Sequence, residues 1–599
     1  MNIKKIKLVN KLYFYLYFCL MLTMINYRSL IVDKMLGTYT DCVGCYRAWV
    51  FSVDAKLIIL SIIVLYISLV LKNYFLRLLL RILLTLFIGY YLIDIYLYKF
   101  LNQRLFLADI LTYFNIETII ETVNRDLSSS SLLIFSVLLI FILMFIFFHQ
   151  QLKFLKLELL LIGSVLIFLL IFILNVNKID YINDVSIRNI VDINFNSTES
   201  NDYSEKTIKL INHKINDIES LSCKESKLNT QFKKKKNIVL LLWESLSMYQ
   251  SELFSGMNNW TPHLDDIARN NRYYSNFFAN NFTSLEGRLA ILTGEKTFRN
   301  IAPMTIDRGR VGYWNSQRNL PKLLNANGYH TSFLDGANLD FTRTGDYMNG
   351  IGFDYVEGQE YEGYKNQQRY GFNSVSDEVL YNRVLEYSKQ QNSPYFITII
   401  TVTTHPPYIN PETGLSSIEN ATKYADKSFY KFYQKLENNN FFDDGVLIIM
   451  SDHRSMTPVS AEEIKKYGKQ AVARIPLVVV DKDFSGNAQT NEYLQQSDLL
   501  NSIEYLVTNK HCRRKDEGNI FSDPAIPSAC IYHNRGDYRD QIDVYCKNGM
   551  QSATVKLDGD NTRLIKGELD NSDEIVENIN TSRIAARKRH DEFLLNQQN

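Results

Sequence analysis

The sequence predicts a two-part protein: five transmembrane helices, then an α/β domain built on a mostly parallel sheet. Three observations carry this. Residues 1–175 are dominated by Leu, Ile, Phe and Tyr, whereas the remainder has the mixed composition of a soluble domain. The first part holds five apolar runs, each about long enough to cross a hydrocarbon core of roughly 30 Å. From residue 237 onward, short β-rich apolar runs alternate with helical segments, the pattern of a sheet covered on both faces. A chain of 599 residues is too long for one core, and a net charge of +1 argues against a nucleic-acid partner.

The five runs lie near 11–32, 56–72, 75–98, 130–148 and 153–175. Lys4, Lys5, Lys7 and Lys11 precede the first, but no small-residue cleavage site follows, so it reads as a span and not a signal peptide. The N-terminal lysines, Lys72 with Arg77 and Arg81, and Lys153 with Lys156 are expected on the cytoplasmic side. Five spans then place everything after 175 outside the cytoplasm. Arg28, Lys34, Arg47, Arg104 and Arg125 fall in the opposite loops and moderate the bias. Asp94 and Glu158 are expected at headgroup level near helix ends.

Residues 105–123 read as an amphipathic piece along the membrane surface, and 176–236 as a polar linker with a juxtamembrane helix. Lys233 to Lys236 end the linker as a solvated charge run. The α/β domain is expected over 237–510, a small C-terminal β element over 511–575, and a polar tail over 576–599. Strands are expected at Asn237–Trp243, His330–Leu334, Pro394–Val402, Gly445–Met450 and Ile475–Val480, with Gln541–Tyr545 and Ser552–Leu557 in the β element. Helices are expected at Pro262–Arg269, Leu320–Ala326, Asp377–Lys389 and Tyr424–Glu437. Of the seven cysteines, Cys223, Cys512, Cys530 and Cys546 lie in the exterior part, where Cys512–Cys530 is one bridge the sequence allows with connectivity left open, and Cys42 with Cys45 is expected to form a small local disulfide.

In an open α/β sheet, ligands bind beyond the carboxyl ends of the strands. Here the strands are followed by Glu244, by Asp335-Gly336, by Thr403-Thr404-His405-Pro406-Pro407 and by Asp452-His453. A further segment, Phe282 to Gly294, places the adjacent hydroxyls of Thr283 and Ser284 before an apolar helical run. A hydroxyl at a helix N-terminus sits in a field that favours negative charge. Glu244, Asp452 and His453 plus Ser284 or Thr283 form an O/N donor set for Mn²⁺, with Zn²⁺ and Mg²⁺ as alternatives.

These residues carry a resemblance. Residues 237–510 resemble the alkaline phosphatase/sulfatase superfamily, and with the membrane part the chain is similar to lipoteichoic acid synthases and lipid A phosphoethanolamine transferases. The resemblance rests on Asn237 to Ser245, on Thr261-Pro262-His263-Leu264-Asp265-Asp266-Ile267-Ala268, on Thr401 to Tyr408 and on Ser451-Asp452-His453. It implies a sulfatase-like α/β fold and a two-step reaction. A hydroxyl attacks a phospholipid donor, diacylglycerol leaves, and the headgroup phosphate passes to an envelope polysaccharide or glycolipid acceptor. His405 is implied to contact the phosphate or protonate a leaving oxygen, with Arg288 and Arg343 as further substrate contacts. The sulfatase spacing from Ser284 to Arg288 and Thr293-Gly294 favours Ser284 as nucleophile, whereas the synthases' threonine favours Thr283. Glu286 stands where sulfatases need Pro to form formylglycine, so sulfatase activity is not implied. The headgroup region Asp335 to Arg343 lacks the synthases' His and Trp, and Arg454 replaces the Gly after the metal pair and is expected to face the site. A phosphoglycerol-type transferase leads, with a phosphoethanolamine transferase or an extracytoplasmic phosphodiesterase as alternatives.

Overall fold

The computed structural model describes residues 17–33, 47–101, 104–107, 203–219, 221–225, 235–298, 312–314, 316–392, 394–484, 489–514, 516–536 and 538–598. Contacts divide the chain into two compact units, one mainly within 1–196, the other mainly within 197–599.

In the N-terminal unit, helices occupy 17–33, Arg47–Val70 and Tyr74–Leu101. Met21, Ile25, Ile58, Ile62, Ile88 and Tyr91 pack between them. Among the described residues, Tyr74–Lys99 is the one stretch long and apolar enough to cross a membrane. The runs at 130–148 and 153–175, Glu158, the stretch 108–123 and Cys42 with Cys45 lie outside the described residues. Asp94 is fully buried within this unit, and Arg104 grips it with Nε and Nη2, both at 2.8 Å. One expectation is corrected here: Arg28, placed in a loop, is helical and buried, pairing with Asp54. Tyr91 donates to the same Asp54 carboxylate at 2.7 Å. Buried charges survive only when paired, because the isolated ion costs several kcal/mol to desolvate.

The second unit is built on an eight-stranded sheet. Its strands are β1 (Asn237–Trp243), β2 (Arg272–Tyr274), β3 (His330–Asp335), β4 (Tyr355–Glu357), β5 (Tyr395–Ile400), β6 (Gly445–Ser451), β7 (Leu477–Val480) and β8 (Gln489–Thr490). They lie in the order β8-β2-β7-β6-β1-β5-β3-β4, with β7 antiparallel to both its neighbours and every other pair parallel. Alternation along β1 explains the two cores. Ile238, Leu240 and Leu242 face one, and Val239, Leu241 and Trp243 face the other. Helices Leu320–Ala326, Leu499–Thr508 and Ser284–Thr293, here α1, cover the first face. Helices Pro262–Arg269, Asp377–Ser388 and Ile418–Asn438 cover the second. The strand and helix expectations recur within a few residues at each end. Ile418–Asn438 starts six residues before the expected Tyr424, because its polar first turns carry no apolar stripe.

The C-terminal β element is a four-stranded antiparallel sheet of β9 (Cys530–Asn534), β10 (Gln541–Cys546), β11 (Gln551–Lys556) and β12 (Arg563–Glu568). The Cys512–Cys530 bridge that the sequence allows is not formed. Cys223 bridges Cys512, and Cys530 bridges Cys546. Each pair stands directly opposite across two antiparallel strands, which sequence separation alone does not reveal. The polar tail, read from sequence as a loose helix or tail, is the helix Ser572–Gln598. Ile584 and Ala585 pack there with Ile211 and Ile215 of helix Glu205–Glu219, the helix expected near the membrane.

Leu240 is fully buried in the central strand. Leu240→Ala is expected to cost the full chain about 2–5 kcal/mol in urea unfolding. A loss below about 0.5 kcal/mol would mean that the cores are not packed as described.

Candidate active site

The site starts from strand register. Trp243 and Ser451 are partners at the ends of neighbouring parallel strands β1 and β6, so Glu244 and Asp452-His453 leave the sheet side by side. All three are buried, and their donor atoms lie within 4.8 Å of one another. His453 Nε2 is 3.5 Å from Glu244 Oε1 and 3.6 Å from Asp452 Oδ2.

The segment after β5 braces this end of the sheet. Thr401 Oγ1 accepts from the Glu244 amide at 3.1 Å, and the Thr404 hydroxyl donates to the Glu244 carbonyl. Ser245 donates from its hydroxyl to Glu244 Oε1 at 2.8 Å and from its amide to Asp452 Oδ1 at 3.1 Å. Gln496 donates to the carbonyls of Ser451 and Asp452 at 2.9 and 2.7 Å, while its carbonyl accepts from the Asn280 amide at 3.0 Å. Gln496 thereby ties the approach to α1 to the end of β6. It gave no sequence signal, because a lone Gln before a helix has many ordinary uses.

The helix α1 delivers the hydroxyls. Gly287 is what lets it approach: an alanine methyl there would lie 2.1 Å from the Asp452 carbonyl oxygen. The two hydroxyls then part company. Thr283 is the N-cap, accepting from the Glu286 amide and donating to Glu286 Oε2 at 3.2 Å. Ser284 Oγ lies 3.0 Å from His453 Nε2 and donates to Glu244 Oε2 at 3.3 Å. The structure thus brings Ser284 against Glu244 and His453, while Thr283 serves as the cap of α1.

Electrostatics suits a cation. Burial pushes the Asp452 carboxyl up, Glu244 adds to this, and together they bring it to about 6. Burial would also raise Glu244, but the hydrogen bond and charge of His453 outweigh it and hold Glu244 below the ordinary carboxylate range. Burial lowers His453, yet Asp452 and Glu244 overcome this and raise it to about 9. Two buried carboxylates thus need a positive partner, and a proton on the imidazole supplies it when no cation does. Asp452 Oδ2 is buried without a hydrogen-bond partner among the described residues. That orphan acceptor, with a carboxylate, an imidazole and a hydroxyl around it, fits a hard or borderline divalent ion.

The other expected residues fall at different distances from this cluster. His405 contributes to lowering Glu244, so it lies within its field; its ring meets the edge of Phe372, with centroids 4.5 Å apart. Arg288 Nε donates to the Ser284 carbonyl at 3.0 Å. Arg288 also lowers Asp335, whose carboxyl burial and Glu244 raise, to about 6 overall. Arg343 is held otherwise: it is 47% exposed, pairs with Asp346 at 3.0 Å and lies over the Trp314 ring. Arg454, expected to face the site, instead turns to Glu463.

Residues 236–507 match the Sulfatase family model, which supports a sulfatase-like α/β domain over this part of the chain. Within that class, the chain is 22% identical over 330 residues to a lipoteichoic acid synthase of Staphylococcus saprophyticus, covering 48% of this chain and 49% of the relative. It is 25% identical over 249 residues to phosphoglycerol transferase I of Xanthomonas campestris, covering 37% and 34%. A solved lipoteichoic acid synthase of Listeria monocytogenes aligns with a TM-score of 0.46 at 20% identity, over 64% of this chain and 98% of that one. The chain spans about half or less of the length of these curated relatives.

Gly287→Ala is expected to push α1 off the Asp452 backbone, at about 1–3 kcal/mol of stability. Thermal unfolding and Mn²⁺ uptake of the purified chain should both weaken. A variant unchanged in both would show that this close approach does not set the site.

Proposed function

We propose that this chain is a multi-pass membrane enzyme that moves glycerol phosphate from a phospholipid to an envelope glycan or glycolipid outside the cell. The observation that carries the reading is Ser284 Oγ, placed at 3.0 Å from His453 Nε2 and donating to Glu244. A hydroxyl in that position is a nucleophile between the donor groups of a cation site. The similarity to lipoteichoic acid synthases and phosphoglycerol transferases supports the choice of headgroup. The disulfides Cys223–Cys512 and Cys530–Cys546 support an oxidising compartment for the α/β domain. The apolar helix Tyr74–Lys99 supports a membrane anchor, and the further spans are those read from sequence.

In the proposed mechanism, Glu244, Asp452, His453 and Ser284 would hold the divalent ion, taken as Mn²⁺. When bound, the ion would lower the Ser284 hydroxyl pKa and neutralise charge on a phosphoryl oxygen. Ser284 Oγ forms a bond to the donor phosphorus as its proton passes to water. The phosphorus–oxygen bond to diacylglycerol breaks, and His405 gives that oxygen a proton. In the second half an acceptor hydroxyl attacks the same phosphorus and returns a proton to His405. Ser284 leaves and takes up a proton from water. Arg288 lies beside Ser284 with a permanent charge suited to a phosphate oxygen. Thr283 acts here as the cap that holds α1 in place.

The test uses the purified full chain with Mn²⁺ and labelled phosphatidylglycerol or phosphatidylethanolamine. Phosphatidylglycerol is expected to yield diacylglycerol, and Ser284→Ala to cut the rate by at least ~10³-fold. Thr283→Ala should retain measurable turnover. If Thr283→Ala is dead and Ser284→Ala active, the nucleophile is Thr283. If phosphatidylethanolamine alone is cleaved, the enzyme is a phosphoethanolamine transferase. If donor is consumed without any acceptor product, it is a phosphodiesterase.

A further inference from the structure

The side chain after the cation-binding pair is unusual in its surroundings. Arg454 and Glu463 are both nearly inaccessible, at 4% and 3% exposure. Their pairing is a full fork: Arg454 Nη2 donates to both Glu463 oxygens at 2.9 Å, and Nε to Oε1 at 3.1 Å. Nη1 donates to the Ser455 carbonyl at 2.7 Å, and the guanidinium lies over the Tyr249 ring, 5.4 Å from its centroid. Nε, Nη1 and Nη2 of the guanidinium thus each donate to a carboxylate or carbonyl of residues 455 and 463. Glu463 is itself anchored. Its helix, Ala461–Tyr467, donates from the Tyr467 hydroxyl to the Phe254 carbonyl at 2.7 Å and from Lys466 to the Ser255 carbonyl.

Buried ion pairs add little net stability, since desolvation offsets their attraction. What this pair does is hold the backbone at 453–455. The Arg454 carbonyl accepts from His453 Nδ1 at 2.8 Å. That bond places the Nδ1 proton and leaves Nε2 facing Ser284, Glu244 and Asp452. The next peptide is fixed as well. The Ser455 amide donates to Ser247 Oγ at 2.8 Å, and the Ser247 hydroxyl donates to the Ser245 carbonyl at 3.0 Å. Ser245 in turn contacts both Glu244 and Asp452. An unbroken set of hydrogen bonds thus runs from the Arg454–Glu463 fork to all three donor residues.

We propose that Arg454 and Glu463 are positioning residues: their buried fork sets the His453 ring and so the affinity of the site for its divalent ion. This rests on reading Glu244, Asp452 and His453 as the ion's donors, and not on which headgroup is transferred. Without the fork, the 453–455 backbone loses one of its restraints, beside the Ser247 and Ser451 hydrogen bonds, and the imidazole samples orientations in which Nε2 no longer faces the carboxylates.

The experiment is Mn²⁺ titration of the purified full chain, by calorimetry or by the free-Mn²⁺ EPR signal, with thermal unfolding of the cation-free protein alongside. Arg454→Ala and Glu463→Gln are each expected to weaken Mn²⁺ binding by about tenfold or more. Arg454→Lys, which keeps the charge but not the fork, should fall between wild type and Arg454→Ala. The double variant should bind no more weakly than the worse single one, because both remove the same interaction. In a His453→Ala background, Arg454→Ala should have no further effect. Glu463→Gln is isosteric and keeps the test open if Arg454→Ala does not fold. Variants that unfold earlier yet bind Mn²⁺ within about twofold of wild type would overturn the proposal, leaving the pair merely structural. Wild-type protein that takes up no Mn²⁺ would overturn both this and the cation reading. Mn²⁺ uptake without headgroup transfer would overturn only the transferase.

Discussion

The site depends on one constraint: two neighbouring parallel strands end level. Because Trp243 and Ser451 are partners, Glu244 and Asp452 must emerge as neighbours, and burial leaves their charges no water to share. Everything else around them answers that crowding. Ser245 and Gln496 tie down the backbones, His453 supplies a positive or neutral nitrogen as needed, and α1 brings a hydroxyl. A one-residue slip between β1 and β6 would point the alternate residues at the wrong core, so the same hydrophobic pattern that buries the sheet also fixes the carboxylates.

Much of this was legible before any coordinates. Runs such as Asn237–Trp243 and Gly445–Met450 are apolar at every position, which marks strands buried on both faces, and the residues after them are polar. That contrast is enough to pick out Glu244, Asp452 and His453. The helix at Pro262–Arg269 begins with Pro after Thr, a start signal that needs no tertiary context. Spacing also set Ser284 ahead of Thr283, and Ser284 is the hydroxyl that lies against Glu244 and His453.

What escaped the sequence was everything decided by long-range pairing. Cys512 has Cys223 opposite it, 289 residues away in sequence, because a short strand from the linker region lies along Lys510–Arg513. No spacing rule reaches that far. Asp94 looked like a helix-end carboxylate, but its partners Arg28 and Arg104 lie on other segments. Arg454 read as a charge aimed at the site, since its neighbour His453 is. Its partner Glu463 is nine residues on, and only the return of helix Ala461–Tyr467 brings it back. In each case the side chain's chemistry was evident and its partner was not.

The two hydroxyls at the head of α1 show how local capping and chemistry divide the work. A helix needs one acceptor at its N-cap, and Thr283 meets that need with the Glu286 amide. The next residue is then free of capping duty and stands in the positive field of the same helix end. With Gly287 permitting close approach to Asp452, that residue is the one carried into the donor set. Exchanging the roles of Thr283 and Ser284 would require α1 to begin one residue earlier. That turns the helix by about 100° and swings Gly287 away from the Asp452 carbonyl. The glycine therefore argues for Ser284 independently of any hydrogen bond, since its missing side chain makes sense only in the present helical phase.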